Sequence, residues 1–381
     1  MDTNLFSQSD WEAILELRHT LHAHPELSGE EQETKKRLMD FISHHTHLQL
    51  VDRGSWFYAL YEPKKRNGKP AIGFRADMDA LPLPEARDLP YGSTKACVAH
   101  KCGHDGHSSA LAALALLLEK DENILRPVYL IFQSAEETGK GGKSCADFVE
   151  AAGLGEVYAF HNLSGYPENA VMVRDGLTQC ASKGLTVHFT GKRAHAGTPE
   201  EGCNPAPALA RMILLAEKLG APAKEEGAGT LLLTIVGVNL GGRDFGISPG
   251  EGEISFTLRA NEEKDLAAVE NGLRQEACRL GEEHSLAVSF EEADPFPATV
   301  NSPLGTERVR AAARSLGLTL VPMEKPWRPS EDFGWYLKVC PGALFYVGNG
   351  ENWPTPHHPA YDFNDRILPT PAALFLKLAE D

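Results

Sequence analysis

Apolar positions recur along this chain with two different periods, and the places where the period changes divide it into elements. From Trp11 to Leu21, the residues Ile14, Leu17 and Leu21 share one helical face, and from Glu31 to Ile42 so do Leu38, Phe41 and Ile42. Both spacings predict amphipathic surface helices. Ala71-Ile72-Gly73-Phe74 predicts a buried strand that leads into the acidic loop Arg75-Ala76-Asp77-Met78-Asp79-Ala80-Leu81-Pro82. Ala110 to Leu118 predicts a buried helix, and Val128 to Phe132 a short, continuously apolar strand of the parallel-sheet type. Val157 to Phe160 repeats that strand pattern. Strand, helix and strand in alternation predict an α/β sheet, mixed but mostly parallel, flanked by helices.

From Lys183 the texture changes. Leu185 to Phe189 alternates like a half-exposed strand, Pro205 to Leu219 is amphipathic, and Glu262 to Glu283 reads as a charged helix. Gly229 to Val238, Glu253 to Arg259 and Leu286 to Glu291 read as further strands. An inserted α+β domain of four antiparallel strands and two helices fits this stretch. The α/β texture returns at Pro297 to Asn301 and ends in a helix near Leu368 to Leu378. The expected organisation is therefore a catalytic domain over 1–182 and 292–381, interrupted by the insert at 183–291. No internal repeat or low-complexity segment is visible.

With 381 residues, 42% of them hydrophobic, the chain can bury at least one full core. Its 37 basic and 53 acidic residues give a formal charge of −16, which disfavours nucleic acid and anionic lipid as partners. There is no run of 18 apolar residues to suggest a membrane span, and Met1 to Asp10 is polar and acidic rather than signal-like. The expected location is the cytoplasm. Seven cysteines without repeating spacing do not form a disulfide framework.

Cys102-Gly103-His104-Asp105-Gly106-His107 packs a thiol, two imidazoles and a carboxylate just ahead of the apolar helix. A thiolate and a neutral imidazole two residues apart can bind metal, while a neighbouring acid orients a ligand. The blander alternative is a buried thiol beside solvent-facing histidines. Glu136-Glu137 follows the strand Val128 to Phe132, His161 follows Val157 to Phe160, and Pro356-His357-His358-Pro359 adds a late imidazole. Paired acids also start helices for electrostatic reasons alone. Leaving a strand, however, they point different ways, so one can bind metal while the other serves as a base. Ligand crevices in α/β sheets lie beyond the carboxyl ends of the strands, where Asp77, Asp79, Glu136, Glu137 and His161 are all expected.

These motifs resemble the two-metal peptidase and amidohydrolase family that contains the aminoacylases and glutamate carboxypeptidases. The nearest branch holds hydrolases of hippurate, of auxin conjugates and of N-acetyldiaminopimelate. The likeness also covers Leu21-His22-Ala23-His24-Pro25-Glu26-Leu27-Ser28, Ala194-His195-Ala196, Ser330-Glu331-Asp332-Phe333 and His357-His358-Pro359-Ala360-Tyr361-Asp362-Phe363. It implies Cys102 as a thiolate bridging two divalent ions, with His104, Glu137, His161 and His357 as the other ligands. His357 is preferred to His358 because it lies two residues before the proline of the closing segment. Manganese, zinc, cobalt and nickel all suit such a donor set. The resemblance makes Glu136 the general base, which takes a proton from water and returns it to the leaving amine. His195 becomes an oxyanion partner on a lid that is also a dimerisation surface, acting in its own or a partner subunit's site. His107, His22 and His24 become supporting residues.

The implied reaction is metal-dependent hydrolysis of the amide bond of small N-acyl amino acids. The alternatives are a metal-dependent exopeptidase or dipeptidase and a catalytically silent metal-binding protein. No substrate-binding residue is assigned. Two departures stand out: Ala99-His100-Lys101 precedes Cys102 where the branch has Met-His-Ala, and the insert's Gly241 to Pro249 loop carries Gly246 and Ser248 where asparagine and an apolar residue are usual. Lys101 is expected to point away from the site. Stripped of metal, Cys102 is expected to be a reactive, low-pKa thiolate.

Overall fold

The computed structural model describes residues 5–220 and 231–380. The chain divides into two compact units, one of Met1–Thr178, Thr299–Pro326 and Asp332–Asp381, the other of Gln179–Ala298 and Trp327–Glu331.

In the first unit two helices precede the sheet. α1 (Gln8–Ala23) starts with a reciprocal cap between Ser7 and Asp10 and buries Ile14, Leu17 and Leu21, together with Arg18 and His22. α2 (Gln32–His45) buries Leu38 and Ile42. The sheet contains β1 (Gln49–Asp52), β2 (Phe57–Tyr61), β3 (Ile72–Asp77), β4 (Val128–Gln133), β5 (Glu156–Ser164), β6 (Val171–Met172) and the strand Gly342–Gly350. Their spatial order is β1, β2, β4, β3, β5, Gly342–Gly350, β6. β4, β3, β5 and Gly342–Gly350 run parallel, whereas β1 and β2 on one side and β6 on the other pair antiparallel. This is the mixed, mostly parallel sheet expected from the strand and helix alternation.

Every residue of β3 is buried, Arg75 and Asp77 included, so the strand runs past the apolar Ile72 to Phe74 into the start of the stretch expected as an acidic loop. α3 (His104–Lys120) is buried from His104 to Leu118, and its Ala110 to Leu118 part follows the rule that a helix apolar all round lies inside. It begins well before the Ala110 to Leu118 run that predicts it. Its first turns are polar, so hydrophobic periodicity does not register them. The Phe375 ring of the C-terminal helix Pro369–Glu380 packs on Phe74, Phe160 and Phe345, closing the core over β3, β5 and Gly342–Gly350.

The second unit is a four-stranded antiparallel sheet in the order Leu231–Leu240, Glu251–Ala260, Ala181–Thr190, Ala287–Phe296. Leu185, Val187 and Phe189 alternate with less buried neighbours, as do Ile254, Phe256 and Leu258. The apolar sides of helices Ala206–Leu219 and Glu263–His284 are buried at Leu209, Met212, Leu273 and Leu280. Four antiparallel strands and two helices are thus present as the alternation predicts. The start of the expected Gly229 to Val238 strand lies outside the described residues.

Candidate active site

Two glycines let the Cys102 loop and α3 approach their neighbours closely. Gly103 caps α3 with φ at 102°, a left-handed conformation, and a Cβ there would stand 2.4 Å from Asn162 Oδ1. At Gly106 a Cβ would fall 2.3 Å from the Phe363 ring. Gly106→Ala is therefore expected to lower folding stability by about 1–3 kcal/mol, as overpacking does. A denaturant midpoint equal to the parent's would show that the Phe363 ring yields without strain.

Asp77 ends β3, and the acidic pair follows β4 after a turn at Ala135, whose φ is 52°. His161 is not past the end of its strand as expected but inside it. β5 continues to Ser164 because Gly342–Gly350 pairs beside it, with Tyr346 opposite His161.

The donor atoms of Cys102, His104 and His161 lie within 4.8 Å of one another, and so do those of Cys102, Glu137 and His357. The two triads share a single atom, the Cys102 sulfur. Cys102 Sγ is 3.4 Å from His161 Nε2, and Glu137 Oε2 is 3.5 Å from His357 Nε2. Glu136 is buried beside them, with Oε2 3.9 Å from His104 Nε2. The backbone N–H of Asp332 donates to Glu136 Oε1 at 3.4 Å. Asp332 is in turn fixed by Arg75, Gln133 and the Gly142 N–H. His358 is exposed and its Nδ1 accepts from the Ala360 N–H, so of the two late imidazoles it is His357 that meets Cys102 and Glu137.

Backbone and carboxylate partners set the imidazoles' orientation. His104 Nδ1 meets the Asp79 carbonyl at 2.9 Å and its carboxylate at 3.1 Å, which turns Nε2 toward the acidic pair. His161 Nδ1 donates to the Asn162 carbonyl at 2.7 Å. Both nitrogens of His107 are engaged, one by Asp77 and one by Asn162 Oδ1, each at 2.6 Å, consistent with a supporting part. His22 bonds Asp105 at 2.7 Å and Glu85 at 2.9 Å beneath α3, whereas His24 is only half-buried and meets Thr94.

The site gathers negative charge. Burial, Glu137 and Glu136 push the Cys102 thiol well above its ordinary pKa. That direction is opposite to the lowered pKa expected of a reactive thiolate. Burial opposes charge on His104, but Asp77 and Asp79 outweigh it and hold the imidazole up at about 10. Burial and the neighbouring His107 push His161 well down, leaving a neutral ring. His104 Nε2 and Glu137 Oε1 are both buried without a hydrogen-bond partner. The two atoms face each other at 3.7 Å, and a thiol, imidazoles and carboxylates crowded around one point are the donor set that divalent cations take, so these residues fit a metal centre.

Asp79 was expected in the crevice without a role, and two further contributors, Glu31 and Asn162, were not expected at all. Asp79 not only orients His104 but accepts the Glu137 N–H at 2.9 Å, so it positions two donors. Glu31 accepts the Ala135 N–H at 2.7 Å, and burial and Asp79 raise its carboxyl to about 7. Asn162 links His107 to the Tyr361 hydroxyl. Only Asp79 had a sequence signal, its spacing from Asp77 at a strand end. His195 belongs to the second unit, where it is exposed on a two-residue ribbon with Ile247–Ser248 and accepts the Gly197 N–H at 3.0 Å.

The family model for peptidase family M20/M25/M40 matches residues 73–381. The chain belongs to this family. As a member it is a hydrolase of amide bonds. It is 27% identical to the N-acetylcysteine deacetylase of Bacillus subtilis strain 168, over 96% of each chain. It is 30% identical to thermostable carboxypeptidase 1 of Saccharolobus solfataricus, over 89% of this chain and 86% of that one. A solved structure from methicillin-resistant Staphylococcus aureus superposes with a TM-score of 0.87 at 26% identity, covering 98% of this chain and 97% of the other. Family membership makes the silent metal-binding protein the weakest of the sequence alternatives.

Proposed function

We propose that this M20 hydrolase cleaves the amide bond of small N-acyl amino acids, using two divalent ions bridged by Cys102. The observation that carries the proposal is the meeting of two donor triads at one sulfur, with Glu136 alongside. His104 and His161 would complete one ion's protein ligands, Glu137 and His357 the other's. Ions held there would lower the pKa of the attacking water and polarise the scissile carbonyl. Glu136 takes the proton from that water and delivers it to the leaving amine, acting as base and then as acid. The insert expected over 183–291 serves as the lid, and its His195 supplies a hydrogen bond to the developing oxyanion.

The similarity to N-acetylcysteine deacetylase favours an N-acyl substrate, whereas the similarity to a carboxypeptidase favours a peptide. A hydrolysis screen separates the two readings. Chelator-stripped protein is reloaded with manganese, zinc, cobalt or nickel and assayed on acetyl, benzoyl and indoleacyl amino acids and on dipeptides. Turnover is expected on acyl amino acids and is expected to vanish on stripping; preference for dipeptides in every metal would replace the first reading with the second.

The protein is further proposed to be a cytoplasmic homodimer joined through the lid. All seven cysteines lie among the described residues and none forms a disulfide, as suits a reducing compartment. No helix among the described residues is long and apolar enough to cross a membrane. In the second unit, Leu231–Leu240 is an edge strand with Val236, Val238 and Leu240 exposed, the kind of edge that pairs with another copy.

A further inference from the structure

Lys101, where the chain departs from its branch, is fully buried within the first unit beside the Cys102 loop. It holds the His357 segment at two points. Its carbonyl accepts the His357 N–H at 2.6 Å, and its ammonium donates to the Tyr361 carbonyl at 2.9 Å. The ammonium also pairs with Glu85, whose other oxygen meets His22 at 2.9 Å. Burial opposes the Glu85 charge, but His22 and Lys101 hold its carboxyl down at about 2. One residue on from Glu85, the Ala86 N–H donates to the Pro359 carbonyl at 3.2 Å. Further along the segment Tyr361 is buried and its hydroxyl accepts from Asn162, but His357 itself has φ at 67° and a side chain 55% exposed, in contrast to the buried Cys102, His104 and His161. A non-glycine residue in that conformation persists only where its surroundings hold it.

We infer that Lys101, through its ion pair with Glu85, is a positioning residue that clamps the His357 segment and so sets the affinity of one of the two proposed ions. The inference rests on the two-metal reading. The expected point of failure is specific: loosening the clamp displaces His357 and leaves Cys102, His104 and His161 in place. Lys101→Met removes the ammonium while keeping the carbonyl that accepts from His357. Because it also leaves Glu85 short of a partner, Lys101→Met/Glu85→Gln is the matched variant that removes both charges together.

Chelator-stripped parent, single and double variants are titrated with zinc(II), and separately with manganese(II), by calorimetry, with the melting temperature of each stripped protein recorded alongside. The parent is expected to take two ions. Both variants are expected to keep one at parental affinity and to bind the other about 10–100-fold more weakly, the usual consequence of losing a ligand's support. The double variant should melt with the stripped parent. Two ions at unchanged affinity in the double variant would overturn the clamp and leave the two-metal reading standing. Equal weakening of both ions would also overturn it, since the effect would then not run through His357. A parent that takes fewer than two ions would overturn the two-metal reading itself.

Discussion

Glu136→Gln is expected to lower kcat by about two to four orders of magnitude while both ions stay bound, the usual worth of general acid and base catalysis. The substitution keeps the side chain's volume and an oxygen able to accept the Asp332 N–H, so what it removes is the ability to take a proton. Glu137→Gln should behave differently. Its Oε2 faces His357 and its Oε1 has no hydrogen-bond partner, so exchanging the carboxylate for an amide weakens a donor to metal. Steady-state kinetics paired with elemental analysis of each purified variant separates the two roles. Equal loss of metal from both variants, or near-parental turnover in Glu136→Gln, would refute the division of labour.

His195→Ala is expected to reduce kcat by about a hundredfold or more, the scale of losing one oxyanion partner, with metal content and melting temperature unchanged. Its place in the second unit makes this a discriminating test, because no proposed metal donor lies in that unit. Turnover equal to the parent's on a good substrate would remove His195 from the chemistry. Loss of metal would mean that the side chain had been given the wrong part.

Elements with a strong hydrophobic period were legible in the sequence, and elements made for the site were less so. β3, β4 and the strands of the insert announce themselves through burial on one or both faces. The first turns of α3 do not, because His104, Asp105 and His107 are polar residues buried by their partners rather than by an apolar pattern. The end of β5 was misplaced for a related reason: it depends on pairing with Gly342–Gly350, far away in the sequence. The proposed ligands stood out because cysteine and histidine are chemically distinctive. Their supports, Glu31, Asp79 and Asn162, are common residue types whose contacts arise only on folding. Lys101 looked like an intruder next to Cys102, yet its charge is taken up by Glu85 and the Tyr361 carbonyl.

The enclosure of α3 bears on how the enzyme acquires its ions. From His104 to Leu118 the helix is buried against the rest of the first unit, so the backbone under the site is secured by the same core that holds the unit together. Amides in such a core open to exchange only with global unfolding. A centre built on that base does not need to fold around its cargo, in contrast to small metal-nucleated domains in which binding and folding are one event. With the donors placed before any ion arrives, discrimination among ions would fall to the fixed geometry and softness of that donor set together with the supply of each ion, and not to whether the chain can fold.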